Sequence, residues 1–342
     1  MKQLLISIII PTFNRAAYLD KSIKSALDQM ITGDELIVVD DGSEDETPDV
    51  LHKYGNLIKV IKGHHGGAGR ARNLGIAEAK NELVAFLDSD DIWLPGKLEL
   101  QRTFMERRPD ILFSFTNFEV KYRDGTVRPR YLQVWHREHA TWEDAFGPGR
   151  MYSSIAPLPE GIPDFWVFEG DLYTLQLTGF YILTDTLVAR RQEAGDALHY
   201  AEDLKTYEDL ECFYRLSKRG RAAFLDADTA RQLDHPHGRL SQLAQLDKLD
   251  ARLTLLRRIW GLDVEFLAKH SDQYRKVLDG HLQQKASMLL SLGKKQMARD
   301  SLDEMESPPF LLKILSYAPA RLTLAGIKLR RLLSNRRHSS HT

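Results

Sequence analysis

Cysteine is nearly absent from this 342-residue chain: Cys212 stands alone, so no internal disulfide can form and no thiolate cage can hold zinc. A reducing, cytoplasmic setting fits that scarcity. Long apolar runs are missing as well. No stretch reaches the roughly 18 uninterrupted apolar residues of a membrane-spanning helix. The apolar start, Leu4 to Ile10, is followed by no small-residue cleavage pattern. Nor does one sign of charge prevail. Lys plus Arg (47) balances Asp plus Glu (48), which argues against a nucleic-acid binder with its basic excess. What is present is 43% apolar residues, enough to bury a sizeable core in one large domain with a smaller appendage.

Through residue 110, short apolar runs alternate with helical periodicity. Ile6 to Ile10 is continuous and β-branched, as in a strand buried on both faces, and Leu36 to Val39, Leu57 to Ile61 and Leu83 to Leu87 repeat the type. Between them, Leu19, Ile23, Ala26, Leu27 and Met30 recur at helical spacing, Thr47-Pro48 opens a second helix, and residues 68–79 are Ala-rich. Pro95 starts a further helix containing Leu98, Leu100, Phe104 and Met105. This order predicts an α/β fold with a mostly parallel, doubly wound sheet. Past Ile111 the pattern changes. Asp124-Gly125 predicts a hairpin turn, and residues 145–170, rich in Gly, Pro and aromatics without a period, predict a long loop. Helix is expected at 208–219, a strand at Ala222 to Leu225, and almost only helix beyond residue 240. There Leu282, Ala286, Leu289, Leu290, Ala298 and Leu302 flank Gly293 as a helical hairpin.

In open α/β sheets, ligands gather beyond the carboxyl ends of the strands. Pro11-Thr12-Phe13-Asn14-Arg15, Asp40-Asp41-Gly42-Ser43 and Asp88-Ser89-Asp90-Asp91 all fall there. Any one acidic pair serves equally well as a helix cap. Together on one crest, the acids repel unless a cation or hydrogen-bond donors compensate. With oxygen ligands and no thiols, Mg²⁺ or Mn²⁺ suits such a place. The Gly-rich stretch His64 to Asn73 precedes a helix; its amides with Arg70 and Arg72 suit phosphate or a sugar hydroxyl, or else form a tight turn with solvated arginines. Its spacing matches neither the dinucleotide nor the P-loop pattern.

Four segments in order, Ser7 to Arg15, Ile37 to Thr47, Ala71 to Ile76 and Phe86 to Trp93, resemble family 2 glycosyltransferases of the GT-A fold, over residues 5 to about 240. The resemblance implies a Rossmann-like GT-A catalytic domain over 1–240, followed by a helical C-terminal region with a basic tail over 241–342. It implies transfer of a sugar, with inversion, from a nucleotide-sugar (a UDP-sugar) to an acceptor hydroxyl on a glycan or lipid-linked acceptor, in cell-surface polysaccharide or lipopolysaccharide synthesis. Pro11, Phe13 and Asp41 would hold the base, and Arg72 the donor. Asp88 and Asp90 match the Asp-x-Asp element that ties ribose and metal together, Asp90 as the Mn²⁺ or Mg²⁺ ligand, with Asp91 beside the diphosphate. Asp209, in Tyr207 to Leu216, would be the general base, against a plain reading as a helix-start acid. Of His235 and His237, His235 is the preferred further metal ligand. The family's usual Asn before the glycines is His65 here.

Two competing functions are weaker. A sugar-nucleotide pyrophosphorylase needs a Gly-rich signature after the first strand, and a non-catalytic nucleotide-sugar binder needs no Asp209. From Phe310 onward the chain has seven cations (Lys313, Arg321, Lys328, Arg330, Arg331, Arg336, Arg337) and no acid. Leu322, Leu329 and Leu333 share one helical face there. This stretch suits an anionic membrane surface, with the protein peripheral on its inner face, or a core helix with a basic end.

Overall fold

The computed structural model describes residues 3–136, 141–234, 245–319 and 323. The chain divides into two units: Met1–Leu204 with Glu208–Gly238, and Lys205–Tyr207 with Arg239–Thr342.

The first unit is built on one sheet. Among the described residues its strands are β1 (Ile6–Thr12), β2 (Glu35–Asp40), β3 (Lys59–Lys62), β4 (Leu83–Phe86), β5 (Ile92–Trp93) and β6 (Ile111–Lys121). They continue with β7 (Val127–Arg128), β8 (Arg150–Met151), β9 (Trp166–Phe168), β10 (Val188–Arg190) and β11 (Arg221–Leu233). The order is β3-β2-β1-β4-β10-β6-β11-β9-β8, with β5 on β11 and β7 on β6. The strands β3, β2, β1 and β4 pair in parallel. Next, β10 runs antiparallel to both β4 and β6, while β6 and β11 are parallel. The fold is therefore the expected α/β GT-A arrangement: a parallel core, then a mixed half. Isoleucines 6, 8, 9 and 10 are fully buried because β1 lies in the parallel half, covered on both faces.

Close packing of helices on this sheet is secured by small residues and one buried ion pair. On helix Gly67–Glu78, a Cβ at Gly75 would stand 2.5 Å from Ile9 Cγ2, so glycine sets the approach to β1. Arg102, on helix Lys97–Arg107, donates from Nη1 and Nη2 to the two oxygens of Asp34, at 2.9 and 2.6 Å. The same carboxylate accepts from the amides of Ile6 and Ile31. It thereby fixes the starts of β1 and β2 to the helix.

Three expectations change in detail. The third strand starts at Lys59, because Leu57 sits in a 3-10 turn and is 67% exposed. Residues 145–170 are anchored by aromatics: Phe146 and Phe168 lie against Phe224 at 5.6 and 6.1 Å between ring centroids, and Tyr152 donates to the Leu100 carbonyl at 2.8 Å. Aromatic burial needs no period, so the pattern hid it. Finally, β11 runs to Leu233, well past Leu225, because a register shift at Asp228 bulges the strand without ending it. The Asp-Gly turn forms as expected, pairing Lys121 with Val127.

The second unit is helical: Gln245–Ile259, Val264–Ser291, Lys295–Asp303 and Phe310–Tyr317. Leu282, Ala286, Leu289, Leu290, Ala298 and Leu302 are buried as the expected hairpin core, with Gly293 at φ +74° ending the long helix. No described helix is long and apolar enough to cross a membrane.

Removing one partner of the Arg102–Asp34 pair strands a buried charge, which costs about 3–5 kcal/mol. Asp34→Ala is expected to lower the unfolding free energy by that order in urea titration. A loss under about 1 kcal/mol would show that the pair is not what fixes the strand starts.

Candidate active site

The tips of β1 and β2 are laced together by short polar side chains. Asn14 takes φ +51°, a left-handed conformation its amide tolerates, and accepts from the Glu44 amide at 2.8 Å. Its own amide donates to Ser43 Oγ at 2.9 Å. Pro11 and Asp41 are buried beside this lacing, and Phe13 is half-buried. The Phe13 ring lies 4.3 Å from that of His65, so the two make an aromatic wall. Asp41 accepts from the amides of Gly66 and Gly67, at 2.9 and 2.7 Å, one on each oxygen. Pro11, Phe13 and Asp41 thus share one rim.

The glycines on that rim are there for close approach. A Cβ at Gly63 would stand 2.6 Å from Asp41 Oδ1, and one at Gly69 would stand 2.6 Å from the Ala201 carbonyl oxygen. This second approach lays helix Gly67–Glu78 against Glu208 and lets Arg72 reach two carboxylates. Arg72 donates from Nη2 to Asp88 Oδ1 at 2.7 Å and from Nη1 to Glu208 Oε1 at 3.1 Å. Its Cζ also sits 5.0 Å from the centroid of the Tyr200 ring. Burial disfavours the charge, yet Asp88 and Glu208 hold the guanidinium well above the ordinary arginine value. Arg72 is therefore committed to carboxylates rather than solvated.

Asp209 is the second residue of helix Glu208–Arg219. Its Oδ2 accepts from Thr184 Oγ1 at 3.2 Å, and its Oδ1 from the Leu210 amide at 2.9 Å. Burial pushes its pKa up to about 7; the charges of Glu208 and Asp88 add to the rise, and Arg72 opposes it. Such a value suits a group that takes a proton near neutrality.

Asp185, in the 3-10 turn Thr184–Thr186, completes the acidic group. Its Oδ1 accepts from the Asp88 amide at 2.6 Å, and one ligand atom each from Asp88, Asp91 and Asp185 lie within 4.8 Å of one another. Asp91 accepts from the Leu233 amide at 2.8 Å. Burial, followed by the charge of Asp88, pushes Asp185 up to about 8. Beneath the turn, Trp93 Nε1 donates to the Asp185 carbonyl at 2.8 Å, and the buried Lys97 Nζ lies 5.0 Å from the Trp93 ring centroid. Burial pulls that lysine down to about 7.

The residues fit a hard divalent cation. Three carboxylates face one another, and the buried Oδ2 of Asp185 receives no hydrogen bond. Asp90 pairs instead with Arg15, its carboxylate 3.3 Å from Nε, while its charge still adds to the rise of Asp185. His235 lies outside the described residues. Asp88, Asp91, Arg72 and Asp209 come together, then, and Pro11, Phe13 and Asp41 form the neighbouring rim. Thr184, Asp185 and Tyr200 escaped the motif reading. The polar triplet Thr184-Asp185-Thr186 between apolar Ile182-Leu183 and Leu187-Val188 was the available signal.

An α/β sheet with an acidic crest defines the class, and comparison adds the family likeness. Residues 7–173 match the model for glycosyl transferase family 2. This N-terminal part carries the likeness to glycosyl transferase family 2. It is 38% identical over 145 residues to Bacillus subtilis TuaG, whose name assigns it provisionally to teichuronic acid biosynthesis; the match covers 41% of this chain and 56% of the relative. It is 39% identical over 129 residues to Escherichia coli WfgD, a UDP-Glc:alpha-D-GlcNAc-diphosphoundecaprenol beta-1,3-glucosyltransferase, covering 37% and 51%. The chain thus spans about half the length of these two relatives. Among solved structures, S. aureus TarS 1–349 in complex with UDP-GlcNAc shares the fold, with a TM-score of 0.53 at 19% identity over 86% of this chain and 87% of that one.

The trio and the motif residue Asp90 are separable by calorimetry of UDP with Mn²⁺. Asp185→Asn is expected to weaken metal-dependent nucleotide binding by about tenfold or more, the scale for disturbing a metal's carboxylate surroundings. Asp90→Asn, tested beside it, reports on the carboxylate that Arg15 holds. Unchanged binding by Asp185→Asn, or equally tight UDP binding without metal, would remove the trio from the metal site.

Proposed function

We propose that the protein is an inverting glycosyltransferase moving a sugar from a UDP-sugar to a hydroxyl of a glycan or lipid-linked acceptor, in cell-surface polysaccharide synthesis at the cytoplasmic face of a membrane. The observation that carries the proposal is the placing of Asp209, half-buried and raised to about 7, next to Glu208 in the Asp88–Arg72–Glu208 network. The match of residues 7–173 to glycosyl transferase family 2 supports sugar transfer. The activity for which WfgD is named supports a UDP-sugar and a lipid-diphosphate acceptor, and the bound ligand of TarS supports a UDP-sugar.

In this reading the base lies against Phe13 and His65, with Asp41 and Pro11 at its edge. Asp88, Asp91 and Asp185 would hold Mn²⁺ or Mg²⁺, with Asp90 and His235 as motif-derived ligands; the cation supplies neutralising charge for the diphosphate. Asp209 takes the proton from the acceptor hydroxyl as its oxygen forms the new bond to the anomeric carbon. The bond from that carbon to the diphosphate breaks on the opposite face, the electron pair leaves with UDP, and the configuration inverts. Thr184 orients Asp209 through one oxygen, and Glu208, held by Arg72, keeps negative charge beside it. That charge makes Asp209 the stronger base.

Asp209→Asn separates a base from a helix-start acid, because Asn keeps the shape and can still cap. The variant is expected to fold and bind UDP normally while sugar transfer falls by roughly 10²-fold or more. Since only the carboxylate form accepts a proton, kcat/KM of the native enzyme is expected to fall as pH drops through about 7. Near-native turnover by a folded Asp209→Asn enzyme would move the base to another carboxylate, Glu208 being the first to test.

A further inference from the structure

Helix Phe310–Tyr317 in the helical unit has two unlike faces. Leu312, Leu315 and Ser316 are buried. On the other side, Phe310 is 77% exposed, Leu311 46%, Ile314 48% and Tyr317 70%. Their spacing of i, i+1, i+4 and i+7 puts all four on one side of the helix. Large side chains exposed together in this way mark a contact surface rather than chance. Arg299 braces the far end: its guanidinium lies 5.0 Å from the Tyr317 ring centroid and donates to the Ser316 carbonyl at 2.9 Å.

From this helix onward the sequence carries charge of one sign. Lys313 is exposed on the same helix, and the chain from Phe310 to Thr342 carries seven cations and no acid. Two of the acids just upstream are already matched, Glu304 by Arg257 at 2.5 Å and Glu306 by Arg275 at 3.8 Å. An apolar strip bordered by cations fits a surface that is apolar below and anionic above. A protein groove would call for acidic side chains at its rim, whereas a bilayer supplies both properties over any area. No described helix is long and apolar enough to span one, so the contact is interfacial.

We propose that helix Phe310–Tyr317 lies in the headgroup layer of an anionic bilayer, inserting Phe310, Leu311, Ile314 and Tyr317, with Lys313 at the level of the lipid phosphates. The inference deepens, and rests on, the lipid-linked acceptor of the proposed function: it names the segment that brings the enzyme to a membrane-bound acceptor. The bound surface is the lipid itself, not a second copy of the chain.

The test is co-sedimentation of the full-length protein with vesicles of equal parts phosphatidylcholine and phosphatidylglycerol, and with phosphatidylcholine alone. The native protein is expected to pellet with the anionic vesicles, less so in high salt, and to stay in solution with the neutral ones. Phe310→Gln with Ile314→Gln, which keeps helix-forming residues at exposed positions, is expected to weaken partitioning about tenfold or more at an unchanged melting temperature. Native-like pelleting by this folded variant, or no pelleting of the native protein, would overturn the proposal. So would a concentration-dependent dimer in sedimentation velocity that the same variant abolishes, since the face would then belong to a second copy. Transfer to a soluble acceptor analogue, unchanged in the variant, keeps this test separate from that of the chemistry.

Discussion

The guanidinium of Arg72 is the point on which the site turns. Asp88 lies beyond β4 and Glu208 opens a helix more than a hundred residues later, yet one planar cation, only 5% exposed, bonds both. Without it, Asp88, Asp185, Glu208 and Asp209 would be neighbouring acids with little water to screen them. Arginine suits the task better than lysine, because its fork presents separate N–H groups to separate carboxylates and keeps its charge when buried. The pull of this cation does not cancel the effect of burial on Asp209. What results is a carboxylate poised near neutrality beside a guanidinium that keeps its charge.

That arrangement depends on backbone approaches that tolerate no side chain. Gly69 lets helix Gly67–Glu78 close on Ala201 and Glu208, and Gly75 lets the same helix settle on Ile9. Arg72, between them in sequence, is carried to its partners by those two contacts. The glycines that suggested a phosphate cradle thus have a packing duty as well, and two of the amides there already bind Asp41. Asp88, Asp91 and Asp185 pose the opposite electrostatic problem on the other side of the site. Their mutual repulsion is relieved when Asp185 keeps a proton, and a divalent cation would relieve it too, so that in the proposed site cation binding would be linked to proton release.

Legibility in the sequence follows period and length. The parallel half of the sheet is plain because Ile6 to Ile10 and its companions are unbroken apolar runs set between helical repeats. In contrast, β10 is three residues long and ends in Arg190, whose guanidinium is buried against the Ile111 carbonyl, so no run announces it. Asp185 is obscure for the same reason: it belongs to a single 3-10 turn, and only the antiparallel entry of β10 brings that turn to the end of β4. The aromatic anchoring of residues 145–170 is likewise three-dimensional, since Phe146, Phe168 and Phe224 meet only once the mixed half has formed. Asp88, Asp91 and Asp209 were readable because they sit within motifs, whereas the bonds that join Asp88 and Glu208 through Arg72 were not.

The claim that Arg72 joins the two acidic motifs into one site is tested most directly by a double-mutant cycle. Unfolding free energies of Arg72→Met, Glu208→Gln and the double variant isolate the interaction between two side chains 136 positions apart. The account predicts a coupling of about 1–3 kcal/mol, the range for groups sharing one buried network. Effects that simply add, within about 0.5 kcal/mol, would contradict it and leave the Glu208–Asp209 motif independent of the crest.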